Sequence, residues 1–456
     1  MRKTNSLINN LDWPLLIGFL TLICFGLMTI YSVAFNEESP NIFSFSEKYG
    51  KQIMWIFLSL FLGGIVFLID SDVYKKFALS IYLVTLGLLV LVLFMPPING
   101  ARAWIGVGSM GIQPAEFAKI TTALLLAKYV SELNIRLLSS YNVLTALIII
   151  VIPMGLILLQ PDAGTFVVFT AFFFVLYREG LTFDPFILKF INLLPKVRYK
   201  QTWIGSHFIP ILFVLVFLSI LTILLGHKNL GIIPGLPLYG SFGIIVSLFL
   251  ISVAGILFIQ KFGTKREKVK VRLIIVLSFI VGSASSYFVE YSFVHLADHQ
   301  KDRIELFLGL KEDPNGKDYN RNRAMAAVGS GGFSGKGYQN ASVSSVKTNH
   351  VPESETDFIF CPFAEEWGFL GGSVLLMIYL FIIIRILVIA ERQRSSFNRI
   401  YAYSVGMFFF YHFAINIGMN IGFAPVIGIP LPFFSYGGSS MMSFSIMVFI
   451  LLKLDS

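Results

Sequence analysis

Apolar runs long enough to cross a bilayer as a helix recur along almost the whole of this chain. In lipid, a helix is the local structure that satisfies every backbone N–H and C=O within one segment. We therefore predict an all-α polytopic membrane protein with about 12 transmembrane helices. The predicted spans are 14–33, 51–69, 77–95, 114–132, 142–159, 163–177, 208–226, 240–260, 273–291, 366–389, 400–424 and 437–453.

The composition agrees with a membrane protein and excludes an ordinary soluble enzyme. Of 456 residues, 56% are hydrophobic and 13% are charged, and the mean hydropathy is +0.77. A net charge of +9 would suggest nucleic acid in a soluble protein. Here the placement of the basic residues reports membrane topology, so we expect no nucleic-acid partner. The two cysteines, Cys24 and Cys361, do not make a disulfide framework.

The distribution of Lys and Arg orients the predicted spans. With the N-terminus in the cytoplasm, the loops placed inside carry 20 Lys and Arg, and the short loops placed outside carry four. These four are Lys48, Lys51, Arg102 and Lys228. Because cytoplasmic loops are enriched in basic residues, we expect a multi-pass protein of the cytoplasmic membrane with both termini inside.

One long polar segment, residues 292–365, interrupts the spans before the last three helices and falls outside under this topology. We find no separate soluble domain and treat 1–456 as a single membrane domain. In the long segment, Glu312 and Asp313 precede a proline and a glycine that fix a turn. Adjacent carboxylates raise each other's proton affinity, which suits a general base. A solvated acidic turn fits the same pattern, so local spacing leaves both interpretations open.

Two polar groups fall at span boundaries on the outer side. Glu116 and Lys119 are spaced i, i+3 at the start of the fourth span, where they can form an ion pair. A structural pair and a substrate contact are both open at that point. Asp162 follows Gln160 in the break between the fifth and sixth spans. A carboxylate at that position is expected to cap the helix that begins near Gly164.

A glycine-rich run occupies residues 329–337. It is not a Walker motif, because Ser330 replaces a required glycine and Gly337 replaces the required Ser or Thr after Lys336. Its glycines either let backbone N–H groups approach an anion or permit tight turns.

A polar stripe lies on the eleventh predicted span. His412, Asn416 and Asn420 are spaced i, i+4, i+8. This spacing is typical of hydrogen bonding between membrane helices. One His with two Asn is a poor ligand set for a metal ion.

Several motifs together resemble one family. They are Gly-Ala-Arg-Ala-Trp-Ile at 100–105, Gln-Pro-Ala-Glu-Phe-Ala-Lys at 113–119, Gln-Pro-Asp-Ala-Gly-Thr at 160–165, Asp-Pro-x-Gly at 313–316, the glycine-rich run at 329–337, Thr-Asp-Phe-Ile-Phe at 356–360, Ala-Glu-Glu-Trp-Gly at 364–368 and Gly-Ile-Pro-Leu-Pro-Phe-Phe-Ser-Tyr-Gly-Gly-Ser-Ser at 428–440. In this order they resemble the SEDS family (shape, elongation, division and sporulation) from the first span to the last. The elongation branch is the more similar, and the division branch is second.

The resemblance implies a peptidoglycan glycosyltransferase that polymerises lipid II at the outer face of the cytoplasmic membrane, for cell elongation and rod shape. It implies an inverting transfer with Asp313 as general base, and a class B penicillin-binding protein transpeptidase as partner. The substrate-binding residues that it suggests are Arg102, Glu116, Lys119, Gln160, Asp162, Lys336 and Ser435. A divalent cation, Mg²⁺ or Mn²⁺, beside Asp313 stays open, because no His or carboxylate cluster specifies one.

This chain departs from the family pattern in three places. After the acidic turn, the usual Gly-Tyr followed by Gln-Ser is replaced by Asp318-Tyr319 with Arg323-Ala324. The family has ten spans, with one helix between the Gln-Pro-Asp break region and the long loop, whereas this chain has three predicted spans between Arg178 and Phe293. We interpret 208–261 as an inserted transmembrane hairpin. The family arginine directly precedes the tryptophan of the first outer loop, but here Ala103 stands before Trp104 and Arg102 comes one residue earlier. A substrate contact by Arg102 is therefore open.

Two other functions fit part of the pattern. A flippase of the same lipid would also carry intramembrane charges, and the candidates are Glu116, Lys119, Asp162, Glu290 and Glu366. A non-catalytic scaffold would use the long loop only to bind and activate a penicillin-binding protein. Glycan synthesis by purified protein distinguishes the three functions.

Overall fold

The computed structural model describes residues 11–35, 42–97, 101–106, 111–133, 139–191, 202–227, 240–262, 265–295, 317–344 and 351–456. Within these ranges the chain is helical, apart from one antiparallel bridge between Ile105 and Ile112. The helices are α1 (Trp13–Ala34), α2 (Lys48–Leu68), α3 (Ser71–Val92), α4 (Pro114–Glu132), α5 (Ser140–Leu159), α6 (Ala163–Phe169), α7 (Ala171–Arg178), α8 (Asp184–Ile191), α9 (Trp203–Ser206), α10 (Phe208–His227), α11 (Gly240–Phe262), α12 (Lys265–Val294), α13 (Lys317–Ser330), α14 (Phe360–Arg392), α15 (Ser396–Asn420) and α16 (Gly438–Asp455).

Every predicted span coincides with helical structure, although several ends differ. The sixth span is divided into α6 and α7, and α14 begins six residues before the predicted start at 366. Within the described ranges, nine helices are long and apolar enough to cross a membrane. The shorter apolar helices are Ala163–Arg178 and Phe208–Ser219. The remaining predicted span, α4, carries four charged residues: Glu116, Lys119, Lys128 and Glu132. The prediction of an all-α polytopic protein is confirmed.

The described helices form two compact units. The first contains α1 to α4, most of α5, α6, most of α7, and α13 to α16. Within it, α16 packs along α2 and α4, while α15 packs against α4 and α14. Rings of Phe409, Phe433 and Phe444 meet one another at centroid distances of 5.3 to 5.9 Å. Such aromatic pairs each contribute about 0.5–1.5 kcal/mol beyond their area burial, so these rings help to fix the helix positions.

An ion-pair cluster ties three helix ends together in the first unit. Asp12 caps α1 by accepting a hydrogen bond from Leu15 N at 3.1 Å. Its carboxylate also accepts hydrogen bonds from Arg385 and from Arg392 of α14. Arg392 in turn pairs with Asp455 at the end of α16. Burial is the largest single effect and raises the pKa of Asp12. The hydrogen bonds from Arg385, Arg392 and the Leu15 N–H, together with the charge of Arg385, outweigh it and hold that pKa below its ordinary value. The charged cluster therefore fixes the start of α1 against the ends of α14 and α16.

The second unit contains α8 to α12. Helices α10, α11 and α12 pack against one another, and α8 contacts α12. Asp184 at the start of α8 accepts hydrogen bonds from the backbone and the hydroxyl of Thr202, both at 2.7 Å. The ring of Phe183 lies 4.4 Å from that of Phe208. These contacts hold the α8 segment against the start of α10.

Candidate active site around Lys119 and the 428–440 loop

Lys119 is fully buried in the first unit, and three groups surround its ammonium. Nζ lies 2.9 Å from Oε1 of Glu116, one turn earlier in α4, and 3.0 Å from Nε2 of His412 in α15. It also lies 4.8 Å from the ring centroid of Phe444 in α16. An unpaired ammonium at such a position would be costly to bury. The carboxylate, the imidazole and the ring face together stabilise the charge. The predicted pair of Glu116 and Lys119 is therefore present.

His412 connects this ammonium to the 428–440 loop, the segment that carries the Gly-Ile-Pro-Leu-Pro motif. Its Nδ1 lies 2.9 Å from the carbonyl oxygen of Pro430. Because a carbonyl only accepts, the hydrogen-bond network assigns the proton to Nδ1, which leaves Nε2 to accept from Lys119. Ser443 donates to the backbone oxygen of Glu116 at 2.8 Å. Helices α4, α15 and α16 are thus joined around one buried charge.

Gln113 and Asp162 form a second polar contact beside α4. The side-chain amide of Gln113 donates to Oδ2 of Asp162 at 2.8 Å. Oδ1 of Asp162 accepts from the backbone N–H of Thr165 at 2.9 Å, so Asp162 caps α6 as predicted. Gln160 is fully buried and donates to the backbone oxygen of Leu89 at 3.1 Å. Both predicted substrate contacts, Gln160 and Asp162, therefore have structural partners.

Short hydrogen bonds from the polar stripe of α15 fix the 428–440 loop. Asn416 donates to the backbone oxygen of Ile429 at 2.6 Å and to that of Asp357 at 2.8 Å. Asn420 also reaches the Asp357 oxygen, at 3.3 Å. The spacing of the stripe correctly predicted hydrogen bonding between elements.

Ser435 is buried inside the same loop. Its hydroxyl donates to the backbone oxygen of Thr356 at 2.6 Å and accepts from the N–H of Leu431 at 2.8 Å. The hydroxyl therefore closes a turn and joins the loop to the 356–360 motif. In this arrangement Ser435 stabilises the conformation of the 428–440 loop.

Glu365, fully buried in the first turns of α14, binds the segment 336–344. Its carboxylate accepts from Lys336 Nζ at 2.6 Å. It also accepts from the backbone N–H groups of Ser342, Val343 and Ser344, each at 2.9 Å. Lys336 donates to the hydroxyls of Ser330 and Ser342 as well. Its three ammonium hydrogens are occupied within the protein, so Lys336 is a structural residue in this arrangement.

The glycine-rich run packs backbone to backbone against α14. The N–H groups of Lys336 and Gly337 donate to the carbonyls of Glu365 and Glu366, both at 3.0 Å. A Cβ added at Gly335, where φ is +81°, would lie 2.1 Å from the carbonyl oxygen of Glu366. These glycines permit two backbones to touch, and the positive φ angles at Gly332, Gly335 and Gly337 agree with the tight-turn alternative. The N–H groups of Lys336 and Gly337 donate to carbonyl oxygens, which differs from the anion-binding alternative.

Glu366 lies beside Glu365 and binds different partners. Its carboxylate accepts from the hydroxyl of Ser32 in α1 and from the backbone N–H of Gln339 at 3.1 Å. The hydroxyl of Tyr338 donates to the backbone oxygen of Met28 at 3.1 Å. Burial, followed by the charge of Glu366, raises the pKa of Tyr338 to about 12. Tyr338 therefore keeps its proton and acts as a donor near neutral pH.

The amino-acid sequence matches one known protein family. Residues 13–204 and 241–456 match the FtsW/RodA/SpoVE family model, described as a cell cycle protein. This match covers far more than half of the chain, from α1 to α16. The chain belongs to the FtsW/RodA/SpoVE family.

Relatives in this FtsW/RodA/SpoVE family align over nearly their full length. The peptidoglycan glycosyltransferase RodA of Treponema pallidum is 30% identical, and the alignment covers 98% of each chain. The peptidoglycan glycosyltransferase MrdB of Escherichia coli K12 is 27% identical over 95% of this chain and 90% of its own.

Solved structures show the same fold. A chain of a peptidoglycan synthase complex that coordinates polymerization and crosslinking superposes with a TM-score of 0.63 and 21% identity, covering 98% of this chain and 97% of that one. The rod shape determining protein RodA of Thermus thermophilus gives 0.53 at 19% identity, with coverage of 98% and 96%. The apolar helices and this family fold identify an integral membrane protein.

Three further predictions concern the general base Asp313, the substrate contact Arg102 and a metal site. Asp313 and the acidic turn around it lie outside the described residues. Arg102 is exposed, and its Nη1 donates to the backbone oxygen of Leu93 at 3.2 Å. In the parts of the chain that the structure describes, no three His, Cys, Asp or Glu side chains gather as a possible metal site.

Sequence reasoning missed two residues that organise this family site. His412 was assigned to general hydrogen bonding, but it is the partner of a lysine 293 positions away. Glu365 was part of a motif without an assigned role, and its partner Lys336 lies 29 positions earlier. In each case the sequence contains a charged residue that is costly to bury, Lys119 for the first pair and Glu365 for the second. Such a residue requires a partner that binds its charge.

Proposed function

We propose that this chain is a peptidoglycan glycosyltransferase that polymerises lipid II into glycan strands for cell elongation and rod shape. The observation that carries the proposal is the alignment with Treponema pallidum RodA, a named peptidoglycan glycosyltransferase, over 98% of both chains. The Escherichia coli relative carries the same activity in its name. The rod shape determining protein RodA of Thermus thermophilus shares the name RodA with the Treponema pallidum relative, which supports the rod-shape role.

The chemistry is a single inverting displacement. The donor sugar carries an α-linked pyrophosphate, and the growing glycan is β-1,4 linked. The acceptor hydroxyl oxygen bonds to the anomeric carbon as the bond to pyrophosphate breaks, and a general base removes the hydroxyl proton. The family motif at 313–316 assigns this base to Asp313. General-base catalysis of this kind contributes about 10²–10⁴-fold to the rate.

The departing pyrophosphate requires cationic stabilisation. Lys119 is fully buried among its own partners, and the ammonium of Lys336 is occupied by Glu365 and two serines. Arg102 is exposed and uses one N–H on Leu93. Among these three described cations, Arg102 is therefore the best placed to reach a phosphate, while Lys119 joins α4, α15 and α16 through its buried partners.

The same proposal includes the orientation of the chain in the membrane and its protein partner. The long loop, residues 292–365, faces outside, and both termini face the cytoplasm, as the basic residues favour. The partner is a class B penicillin-binding protein that crosslinks the new strands. Support comes from the structural likeness to a chain of a complex that coordinates polymerization with crosslinking.

The segment 208–261 is, on this proposal, a transmembrane hairpin added to a family core of ten spans. The family match is interrupted between residues 204 and 241, which supports additional chain around α10, whereas α11 lies almost wholly within the matched range 241–456. Helix α10 lies inside that interruption, and it packs with α11 and α12.

A reconstitution experiment tests the catalytic proposal. Full-length protein with its penicillin-binding partner, in detergent, is expected to convert lipid II into glycan with no bilayer to cross. Asp313→Ala should lower the rate by at least about 100-fold, because the general base is lost. The matched control is Asp318→Ala, which removes another acidic residue of the same segment and should retain activity. Gel analysis of labelled glycan measures both.

Three outcomes contradict parts of the proposal. Polymerisation by Asp313→Ala at the wild-type rate would show that the base is another residue. No glycan from the wild-type protein, together with passage of labelled lipid II across liposomes, would identify a flippase. Faster crosslinking by the partner without any glycan synthesis would identify a scaffold.

A further inference from the structure

Two adjacent carboxyl groups are buried in the first turns of α14, and their partners are very unequal. The exposed fractions of Glu365 and Glu366 are 0% and 1%. The carboxylate of Glu365 accepts from the ammonium of Lys336 at 2.6 Å. It also accepts from three backbone N–H groups and two serine hydroxyls of residues 342–344. One cation and this many donors stabilise the ionised form of Glu365.

The carboxyl group of Glu366 has far fewer partners. Its Oε1 accepts from the hydroxyl of Ser32 in α1 and from the backbone N–H of Gln339. Its Oε2 is buried and makes no hydrogen bond within the part of the chain that the structure describes. The cation of this region, Lys336, pairs with Glu365 instead. An ionised carboxylate is costly to bury without a cation, so a group in this position takes up a proton.

The charges around Glu366 act in the same direction. Glu365 is ionised beside it, and a neighbouring negative charge disfavours a second ionised carboxylate. The other described titratable groups around Glu366 are Lys336 and Tyr338, with Tyr31 of α1 beside Tyr338. Both tyrosines are neutral near neutral pH, and the charge of Lys336 is compensated by Glu365. These groups therefore leave a negative charge on Glu366 uncompensated.

Glu366 lies where the long loop meets α1. Ser32, which contacts Glu366, lies one turn after Met28, whose backbone oxygen accepts from the hydroxyl of Tyr338 at 3.1 Å. Two contacts thus tie neighbouring loop residues to α1, one made directly by Tyr338 and one that passes from Gln339 through Glu366. A protonated carboxyl keeps its partners, because it still accepts from an N–H and because a serine hydroxyl both donates and accepts.

We propose that Glu366 makes a proton-dependent contact between the long loop and α1. Its carboxyl group is protonated while residues 338–339 lie against α1, and loss of the proton loosens them. Residues 342–344 stay bound, because their partner Glu365 is already ionised. The inference is independent of the glycosyltransferase chemistry.

The direction of the pH dependence follows from the protonation of the closed contact. The closed form binds the proton more tightly than the open form, in which Glu366 meets water and has the ordinary pKa of about 4.3. The contact is therefore strongest below that pH and weakens as the pH rises, until the closed form has also lost its proton. Tyr338 titrates at about pH 12, where Glu366 is ionised, so the effect of the Glu366 charge on Tyr338 agrees with this order.

Infrared spectroscopy of the full-length protein in detergent, at about pH 6, tests the protonation state. A protonated carboxyl group has a carbonyl stretch that an ionised carboxylate lacks. Glu366→Gln, which keeps the size and the neutral charge, should lose the intensity of one such group. Glu132→Gln is the matched control, because it removes a carboxylate whose side chain is 54% exposed, and its band should equal that of wild type. Equal bands in wild type and Glu366→Gln would overturn the proposal.

Hydrogen exchange of peptides that cover 336–344, corrected for the intrinsic exchange rates, tests the contact itself. In wild type, residues 338–339 should open at least about tenfold more often at about pH 8 than at about pH 5. Glu366→Gln should protect them equally at both pH values, because glutamine stays neutral. Glu365→Gln should lower the protection of 342–344 at both pH values, since Lys336 loses its counter-charge. Opening of the wild-type contact that does not change with pH would overturn the proposal, and this measurement requires no variant.

Discussion

At the scale of single residues, the buried ammonium of Lys119 determines how this site is built. Its partners come from three helices, and two of them, Glu116 and His412, are almost fully buried. Removing one member of a buried ion pair leaves an uncompensated charge, whereas removing both members often costs little. The pair is therefore strongly coupled.

The coupling gives a prediction for stability. Lys119→Met or Glu116→Gln alone should lower the free energy of unfolding by about 3–5 kcal/mol. The double variant should lose less than either single variant, because no unpaired charge remains. Thermal unfolding in detergent, followed by light scattering and gel filtration, measures all three.

An exposed ion pair supplies the control for this experiment. Lys75 and Glu132 lie 3.5 Å apart, with side chains 44% and 54% exposed. Lys75→Met should change stability by less than about 1 kcal/mol. Additive losses in the Lys119 and Glu116 double variant would contradict the coupling.

At the scale of elements, the glycine-rich run and the kink of α14 form one packed unit. Gly368 has φ +65° inside α14, and a Cβ there would lie 2.2 Å from the N of Gly335. Backbone hydrogen bonds join the two segments, as between Phe369 N and Gly332 O at 2.9 Å. This contact fixes the start of α14, which carries Glu365 and Glu366, against the segment that follows α13.

Substitution at the contact tests the role of the glycines. Gly335→Ala should destabilise the docked segment by more than about 1–3 kcal/mol, because it adds a clash to an unfavourable positive φ. Limited proteolysis should then cleave within 331–344 more rapidly. Gly329→Ala is the control, since nothing lies within 4 Å of its added Cβ and alanine favours the helix α13. Equal protection in the two variants would show that the close approach is unimportant.

At the scale of the whole molecule, the distribution of Lys and Arg predicts which loops face the cytoplasm. The positions of the helices alone do not predict this orientation. Asn340→Cys, in the long loop, should react with a membrane-impermeant maleimide in intact cells. Asp72→Cys, in the first turn of α3, should react only after permeabilisation. Both residues are exposed, and a background without Cys24 and Cys361 removes native thiols. Labelling of Asp72→Cys in intact cells would reverse the proposed orientation.

Much of the fold was predictable because each span depends on local sequence. A run such as 114–132 becomes α4 with the same ends, since Pro114 begins the helix and hydrogen bonds within the segment complete it. The cap at Asp162 and the pair of Glu116 and Lys119 were predicted for the same reason, as their partners lie within four positions. Helix ends were less predictable where tertiary contacts extend them, as at Phe360 of α14.

The membrane class, the spans, the family motifs and the short-range pairs can be predicted from the amino-acid sequence, because they depend on neighbouring residues and on burial in lipid. The contact of Lys119 with His412, the ion pair of Lys336 with Glu365 and the contact of the glycine-rich run with the kink of α14 are visible in the folded protein alone. Each of these contacts joins residues that are distant along the chain. A buried charge must be paired and a close backbone approach must be free of side chains, but only the packing of the helices selects the partner.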